Sequence, residues 1–204
     1  PVRLSQGQDL QRYFETVGVM KAKAHVRKFE SLDDALQWIE DRILAEELPE
    51  RGSAEVPLAL PEFEVLRDFA GGPGLALLTA CVRERQVPAG ETIFKAGDQG
   101  DEVFLIRRGI VRIVLPLAAG SHHNLAAFGR GGFFGEIAFL DAGTRSADAL
   151  AVSPVELYVI SRARFDAAAR ASPEAGAQLF SQLARALALR LRRADAEISS
   201  LYEA

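Results

Sequence analysis

Short apolar runs alternate with turn residues through the middle of the chain. The runs that read as candidate strands are Thr92–Lys95, Val103–Arg107, Ile110–Leu115, Asn124–Phe128 and Val155–Ile160. Ten of the 17 glycines lie between Gly90 and Gly143, at the corners between these runs. Glycine suits such corners because tight turns often need a positive φ, which a Cβ disfavours. Short strands with Gly-rich corners predict an antiparallel roll, barrel or sandwich over residues 85–161.

Helical spacing replaces this pattern on both sides of the strand-rich region. Residues 62–82 predict a helix before it, and residues 162–204 predict helices after it. Within the second range, Ser172 is a good N-cap and Pro173 suits the first helical position, so a long final helix begins there.

The first part of the chain has its own pattern of elements. Residues 8–17 predict a short amphipathic helix, residues 25–29 a strand, and residues 31–47 a second helix that begins at the N-cap Ser31. The Pro- and Gly-containing stretch 49–61 predicts a linker. We therefore expect a segment 1–48, a linker 49–61 and a main domain 62–204.

Composition narrows the classes of protein that fit this pattern. The 204 residues carry 24 Lys and Arg against 28 Asp and Glu, a net charge of -4 that argues against a nonspecific nucleic-acid binder. The single cysteine, Cys81, excludes an intramolecular disulfide framework and fits a reducing compartment. No apolar run approaches the roughly 18 residues that span a bilayer, and residues 1–18 lack the apolar core of a signal peptide. We expect a cytoplasmic chain that reaches a membrane only through a larger parent protein.

Candidate chemistry is concentrated in residues 132–147, GFFGEIAFLDAGTRSA. The first N–H groups of a short helix over about 137–139 suit a phosphate, and Arg145 offers a planar fork of donors for two phosphate oxygens. Glu136, which only accepts when ionised, suits a ribose hydroxyl, and Ser146 can add a donor. Taken alone, such a Glu and Arg are more typical of a surface ion pair. In this Gly-rich context they predict a site for a compact anion that carries a sugar.

Three stretches, residues 87–101, 104–113 and 131–147, resemble the cyclic nucleotide-binding domain in order and spacing. In that family a Gly-rich β-roll holds a phosphate-binding cassette of the form Gly-Glu, short helix, Arg-(Ser/Thr)-Ala. The resemblance covers about residues 63–201. It implies an α+β, mainly β fold: an antiparallel β-roll, or jelly-roll-like double-stranded β-helix, flanked by N-terminal helices and a long C-terminal helix.

The same resemblance implies roles for individual residues. Arg145 would pair with the cyclic phosphate, Glu136 with the ribose 2′-hydroxyl, and Gly135 would allow close approach of the backbone. The full set of expected ligand-binding residues is Phe134, Gly135, Glu136, Ile137, Ala138, Arg145, Ser146, Ala147 and Leu191. The expected ligand is a cyclic nucleotide, cAMP more than cGMP, with no cofactor and no metal.

Four other residues bear on the chemistry. Asp148 stands where the family more often has an uncharged residue, and strand alternation predicts that it points away from Arg145 toward the rim. His122 and His123 are adjacent in a polar stretch, which predicts a hairpin tip and not a metal site. Cys81 lies among apolar residues and predicts helix packing. No catalytic dyad is evident, so we expect a protein that is not an enzyme.

The segment 1–48 resembles the last part of a STAS domain, similar to the tail that precedes a cyclic nucleotide-binding domain in some bacterial sulfate-permease-type anion transporters. The resemblance depends chiefly on the run from Phe29 to Asp41. The segment is too short for a whole STAS domain. The alternative is two amphipathic helices that pack on the roll.

Apolar residues recur at heptad-type spacing along the final helix. They are Phe180, Ala184, Leu187, Leu191, Ala194, Ile198 and Leu201, and the charged residues between them, Arg190 included, predict a solvated face. The first half of the seam is expected to pack on the roll. The second half is expected either to fold over the nucleotide as a lid, with Leu191 capping the base, or to pair with a second copy in a homodimer.

These observations favour a regulatory module that senses a cyclic nucleotide and controls an attached domain, an anion transporter in the context described above. Two alternatives use the same fold: a ligand-free interaction module, and the sensor half of a catabolite-activator-type transcription regulator. The second needs a helix-turn-helix after the long helix, and residues 1–204 contain none, so no nucleic-acid partner is expected for this chain. A cupin-type enzyme fits least well.

Overall fold

The computed structural model of this protein describes residues 56–69, 73–117 and 122–202, with the isolated positions 35, 39 and 42. The chain divides into two compact units, Pro1–Leu44 and Ala45–Ala204. In the first unit the three described positions are helical, as predicted for residues 31–47. The rest of the segment 1–48, for which the sequence predicts a STAS-like helix–strand–helix, and residues 49–55 of the predicted linker lie outside the described residues.

Eight strands and four α-helices form the described part of the second unit. The strands are β1 (Val82–Val87), β2 (Thr92–Phe94), β3 (Glu102–Arg108), β4 (Val111–Pro116), β5 (His122–Phe128), β6 (Phe133–Phe134), β7 (Asp148–Ala151) and β8 (Val155–Ser161). The helices are α1 (Pro73–Cys81), α2 (Glu136–Asp141), α3 (Arg162–Ala169) and α4 (Pro173–Tyr202), and two 3-10 segments, Leu60–Glu62 and Glu64–Phe69, precede them.

The strands form two four-stranded antiparallel sheets, with orders β1-β8-β3-β6 and β2-β7-β4-β5. The middle of β3, Val103–Ile106, is continuously apolar because both faces of the strand are covered. Phe104 and Ile106 point into a core between the sheets, whereas Val103 and Leu105 belong to a second core shared with the helices. The predicted antiparallel β-roll with flanking helices and a long C-terminal helix is confirmed.

The predicted helix over residues 62–82 is wrong as one continuous element. Residues 64–69 form a 3-10 segment, α1 occupies Pro73–Cys81, and Val82 already belongs to β1. Pro73 explains part of the break, since a proline lacks the N–H that a helix interior needs but suits the first position of a helix.

The predicted linker over residues 49–61 is wrong for its described part, residues 56–61. Leu58 and Leu60 are buried in the helical core. The N–H of Leu58 donates to the carbonyl oxygen of Arg107 at 3.1 Å, and Nε of Arg107 donates to the carbonyl oxygen of Leu58 at 3.2 Å. The spacing of the prolines is typical of a flexible linker. The burial of Leu58 and Leu60 nevertheless packs this stretch against the main domain.

The pair His122 and His123 lies at the start of β5 and not in a hairpin tip. His122 is opposite Pro116 and His123 is opposite Leu115. Backbone pairing with β4 determines where this strand begins. The side chains of the stretch are polar, so the hydrophobic pattern does not indicate a strand there.

We predict that Leu60→Ala destabilises the second unit by about 2–4 kcal/mol, because the truncation leaves a cavity in a packed core. Leu60 is 6% exposed. Val56→Ala is the matched control, since Val56 is 75% exposed and its truncation should change stability little. Urea unfolding followed by circular dichroism measures both variants. Equal stability of the two variants would contradict the packed segment.

Candidate functional site

A cavity of about 750 Å³ lies within the second unit. All nine residues that the sequence predicts for ligand binding line this cavity. They come from β6, α2, the stretch before β7, and α4. The lining residues that sequence reasoning missed are Phe94, Ile113, Leu125, Ala126, Ala127, Phe128, Leu187, Arg190 and Ala194.

Arg145 is the buried cation of this cavity. Arg145 is 5% exposed. Its guanidinium lies 4.3 Å from the ring centre of Phe94 and 5.4 Å from that of Phe104. Nη1 donates to the carbonyl oxygens of Glu102 at 2.8 Å and Gly135 at 3.0 Å. Two backbone carbonyls and two aromatic faces thus offset part of the cost of burying the charge.

Electrostatics around Arg145 act in opposite directions. Burial disfavours the charged guanidinium and lowers its pKa below the ordinary value. Four nearby carboxylates raise the pKa again: Glu102, Asp101, Asp98 and Glu136. The side chain remains a cation at neutral pH, because arginine is not deprotonated in proteins.

Two glycines make room for the Arg145 side chain. A Cβ added at Gly135 would lie 2.8 Å from Nη1 of Arg145 and 2.9 Å from the carbonyl oxygen of Glu102, and Gly135 has φ 78°. A Cβ added at Gly100 would lie 2.6 Å from Cζ of Arg145. The absence of a Cβ at Gly135 therefore makes room for Arg145, and the close approach of its backbone to a ligand stays a prediction.

Glu136 begins α2 and is 4% exposed. Its Oε1 accepts from Nη1 of Arg190 on α4 at 2.5 Å. Nη2 of Arg190 donates to the carbonyl oxygen of Phe133 at 2.7 Å, and the guanidinium lies 4.4 Å from the ring centres of both Phe128 and Phe133. The carboxylate expected to bind ribose thus has a cation from the final helix as its partner.

The predicted solvated position of Arg190 is wrong. Arg190 lies three residues after Leu187 and four before Ala194, so the three share one helix face. All three line the cavity. Helical spacing relative to the apolar seam could have placed Arg190 here, but its charge suggested solvent.

The apolar seam of α4 divides between two surroundings. Phe180 contacts Phe139 of α2 and Phe165 of α3, as expected. Ala184 is exposed, however, and the fully buried residues of this part of the helix are Leu179 and Leu183, which the seam does not include. Leu187, Leu191 and Ala194 line the cavity, although Leu191 is 63% exposed. The side chains of Ile198 and Leu201 lie outside the described residues, so the pairing of two copies stays a prediction.

Arg162, the first residue of α3, contacts the other end of α2. Its Nη1 donates to the carbonyl oxygen of Phe139 at 2.8 Å, which places a cation at the C-terminus of that helix. Its Nε donates to the carboxylate of Asp166 at 2.9 and 3.0 Å. The guanidinium lies 4.9 Å from the ring centre of Phe180. Both ends of α2 are therefore linked to the C-terminal helices by arginines.

Asp148 and Cys81 have structural contacts. Oδ1 of Asp148 accepts from the N–H of Ala96 at 2.7 Å, which anchors the turn after β2. Cys81 is buried in the helical core, as predicted, and its thiol donates to the carbonyl oxygen of Arg164 at 3.6 Å. Burial raises the pKa of the Cys81 thiol, against a smaller effect of Arg164 in the other direction.

Known proteins are similar to this chain in sequence and in fold. Residues 84–172 match the family model of the cyclic nucleotide-binding domain. The chain is similar to the cyclic AMP receptor protein of Thermus thermophilus, with 39% identity over 119 residues that cover 58% of this chain and 53% of that protein. It is 31% identical to glutaminase 2 of Bradyrhizobium diazoefficiens over 178 residues, 86% of this chain and 27% of that enzyme.

The crystal structure of the catabolite activator protein of Thermus thermophilus has the same fold, with a TM-score of 0.59 and 35% identity over 68% of this chain and 62% of that one. The chain thus spans about half the length of the first relative and about a quarter of the second. Among the described residues, no helix is long and apolar enough to cross a membrane. The β-roll described above, with its matched residues 84–172, belongs to the cyclic nucleotide-binding domain family.

Proposed function

We propose that the cavity binds a cyclic nucleotide, cAMP in preference to cGMP, and that the module uses this binding to regulate an attached domain. The observation that carries the proposal is the buried Arg145 cation in the same cavity as the Glu136 carboxylate. A cyclic nucleotide needs both a donor for its phosphate and an acceptor for its ribose. The cavity volume of about 750 Å³ lies within the range of ligand pockets.

The cavity offers a separate environment for each part of the ligand. Arg145 would hold the cyclic phosphate, because its planar fork matches two anionic oxygens. Glu136 would accept from the ribose 2′-hydroxyl. Apolar residues such as Ile113 and Leu191 would contact the base. The name of the Thermus thermophilus relative, cyclic AMP receptor protein, supports cAMP as the ligand.

Regulation would use the position of α4. This helix contributes Leu187, Leu191 and Ala194 to the cavity and belongs to the C-terminal flank of the roll. A ligand that contacts α4 in one position more than in another shifts the helix toward the first position. This lid arrangement is the form in which binding would become a signal for the attached domain.

Two other kinds of attached domain are candidates beside the anion transporter. The similarity to a catabolite activator protein supports the sensor half of a transcription regulator. The 178 residues matched to glutaminase 2 exceed the length of the main domain, so the match includes part of the segment before residue 62. Part of the first segment and the main domain are therefore together similar to a stretch of an enzyme, which supports a regulatory role outside transporters.

Calorimetric titration with cAMP and cGMP tests the proposed ligand, and Arg145 tests the proposed site. Arg145→Ala is expected to weaken cAMP binding by about 30- to 1000-fold, because the loss of a paired, charge-assisted contact costs on the order of 2–4 kcal/mol. Arg145→Lys should also weaken binding, since an ammonium group cannot reproduce the fork. Arg185→Ala removes the same charge from an exposed position of α4 and should bind like the wild type.

Absence of cAMP and cGMP binding to the wild-type protein would contradict the proposed function. Arg145 also donates to two backbone carbonyls, so circular dichroism must accompany the titrations. A folded Arg145→Ala variant that binds cAMP with wild-type affinity would exclude Arg145 as the phosphate ligand.

The close approach at Gly135 gives a second test. Gly135→Ala should destabilise the protein by about 1–3 kcal/mol, through backbone strain at a positive φ, and should also weaken cAMP binding by displacing Arg145. Gly90→Ala separates the two effects, since Gly90 has φ 81° but an added Cβ would meet nothing within 4 Å. Thermal unfolding should register both variants, and calorimetry only the first. Equal cAMP affinity of the two variants would show that Gly135 does not shape the Arg145 site.

Leu191 tests the contact between α4 and the base. Leu191→Ala should weaken cAMP binding about 5-fold, since a base that covers this side chain buries apolar surface worth about 1 kcal/mol. Leu189→Ala is the matched control, because Leu189 is exposed on the same helix and does not line the cavity. Fluorescence competition with a labelled cAMP compares the two variants. A larger loss at Leu189 than at Leu191 would contradict the lid arrangement.

A further inference from the structure

We propose that Arg190 is a positioning residue for Glu136, and that it makes the preference of the site for a ribose 2′-hydroxyl depend on α4. The proposal rests on the proposed function, since it concerns the same cavity. It adds a residue from the final helix to the recognition of the sugar.

The first step is the electrostatic requirement of Glu136. Glu136 is 4% exposed. Burial of a carboxylate costs free energy unless a cation and hydrogen bonds compensate the charge. Arg190 supplies both at once, through the 2.5 Å contact from Nη1 to Oε1. The contact occupies one carboxylate oxygen of Glu136, and the other oxygen can accept a hydroxyl of the ribose.

The second step is the orientation of the carboxylate. The guanidinium of Arg190 is itself held by the carbonyl oxygen of Phe133 and by the rings of Phe128 and Phe133. A planar group fixed by a second hydrogen bond and two ring faces presents Nη1 in one direction. Oε1 of Glu136 follows that direction, which leaves Oε2 to accept a hydroxyl from the ligand.

The third step is the connection to α4. Arg190 lies on the helix face that carries Leu187, Leu191 and Ala194, all of which line the cavity. A shift of α4 that moves the apolar residues also moves the cation away from Glu136. Recognition of the sugar and the apolar contacts of α4 therefore change together, and binding of the ribose hydroxyl would favour the position of α4 seen here.

The test compares cAMP with 2′-deoxy-cAMP, which lacks the hydroxyl in question. The wild type is expected to prefer cAMP by about 10-fold or more, the effect of a hydrogen bond to a charged group. Arg190→Gln should reduce this preference below about 3-fold, mainly through weaker cAMP binding, and Arg190→Lys should restore part of it because an ammonium group keeps the ion pair. Arg192→Gln is the matched control, an exposed arginine of the same helix, and should keep the wild-type preference.

Amide hydrogen exchange of α4 without nucleotide gives a readout that is independent of the ligand. Exchange over residues 187–194 should rise several-fold in Arg190→Gln and in Glu136→Gln, and remain unchanged in Arg192→Gln. The double variant Arg190→Gln/Glu136→Gln should rise no further than either single one, because both remove the same contact.

The outcomes separate this inference from the proposed function. A wild type that binds neither cAMP nor cGMP overturns the proposed function and this inference with it. A wild type that prefers cAMP, together with an Arg190→Gln variant that keeps the full preference, overturns the inference alone. An equal loss of affinity for both nucleotides in Arg190→Gln also overturns it, since Arg190 would then act on a part of the ligand other than the 2′-hydroxyl.

Discussion

The burial of the Arg145 charge constrains the structure around the cavity. A guanidinium in an apolar environment needs hydrogen-bond acceptors and polarisable neighbours, because its hydration is lost. The carbonyl oxygens of Glu102 and Gly135 provide the acceptors, and the ring of Phe94 covers one face. These partners come from three separate stretches of the chain. The position of one side chain therefore depends on the closed β-roll, and the small residues at Gly100 and Gly135 are needed for the backbone to come so close.

Arginine side chains of the C-terminal helices form hydrogen bonds with both ends of the cassette helix α2. Arg190 of α4 contacts Glu136 at its first residue, and Arg162 of α3 contacts the carbonyl oxygen of Phe139 near its last turn. In addition to these two contacts, the rings of Phe139 on α2 and Phe180 on α4 are in contact. A helix held in this way cannot move without changing contacts on α3 and α4. The structure therefore provides a direct physical link between the residues that would hold a ligand and the helices that flank the roll.

Much of the architecture was predictable because it follows from local patterns. Alternating short strands and Gly-rich corners predicted the roll, and the cap at Ser172 with Pro173 predicted the start of the final helix. The linker over 49–61 was mispredicted in its described part, because proline spacing resembles a tether whether or not the leucines between the prolines find a core. The helix over 62–82 was mispredicted for a related reason, since apolar periodicity continued through residues where the chain forms 3-10 turns.

The nine residues predicted for ligand binding surround one cavity, because most of them belong to a single contiguous cassette whose order already specifies a turn, a helix and a strand. The partners of that cassette were not visible in the same way. The helical pattern predicts a solvated Arg190, but its Nη1 lies 2.5 Å from Oε1 of Glu136, a residue 54 positions away in sequence. Local patterns carry the periodicity of an element and the chemistry of its residues. Which charge from a distant helix meets a buried carboxylate is decided only when the roll has folded, since the cost of burying that charge depends on neighbours from elsewhere in the chain.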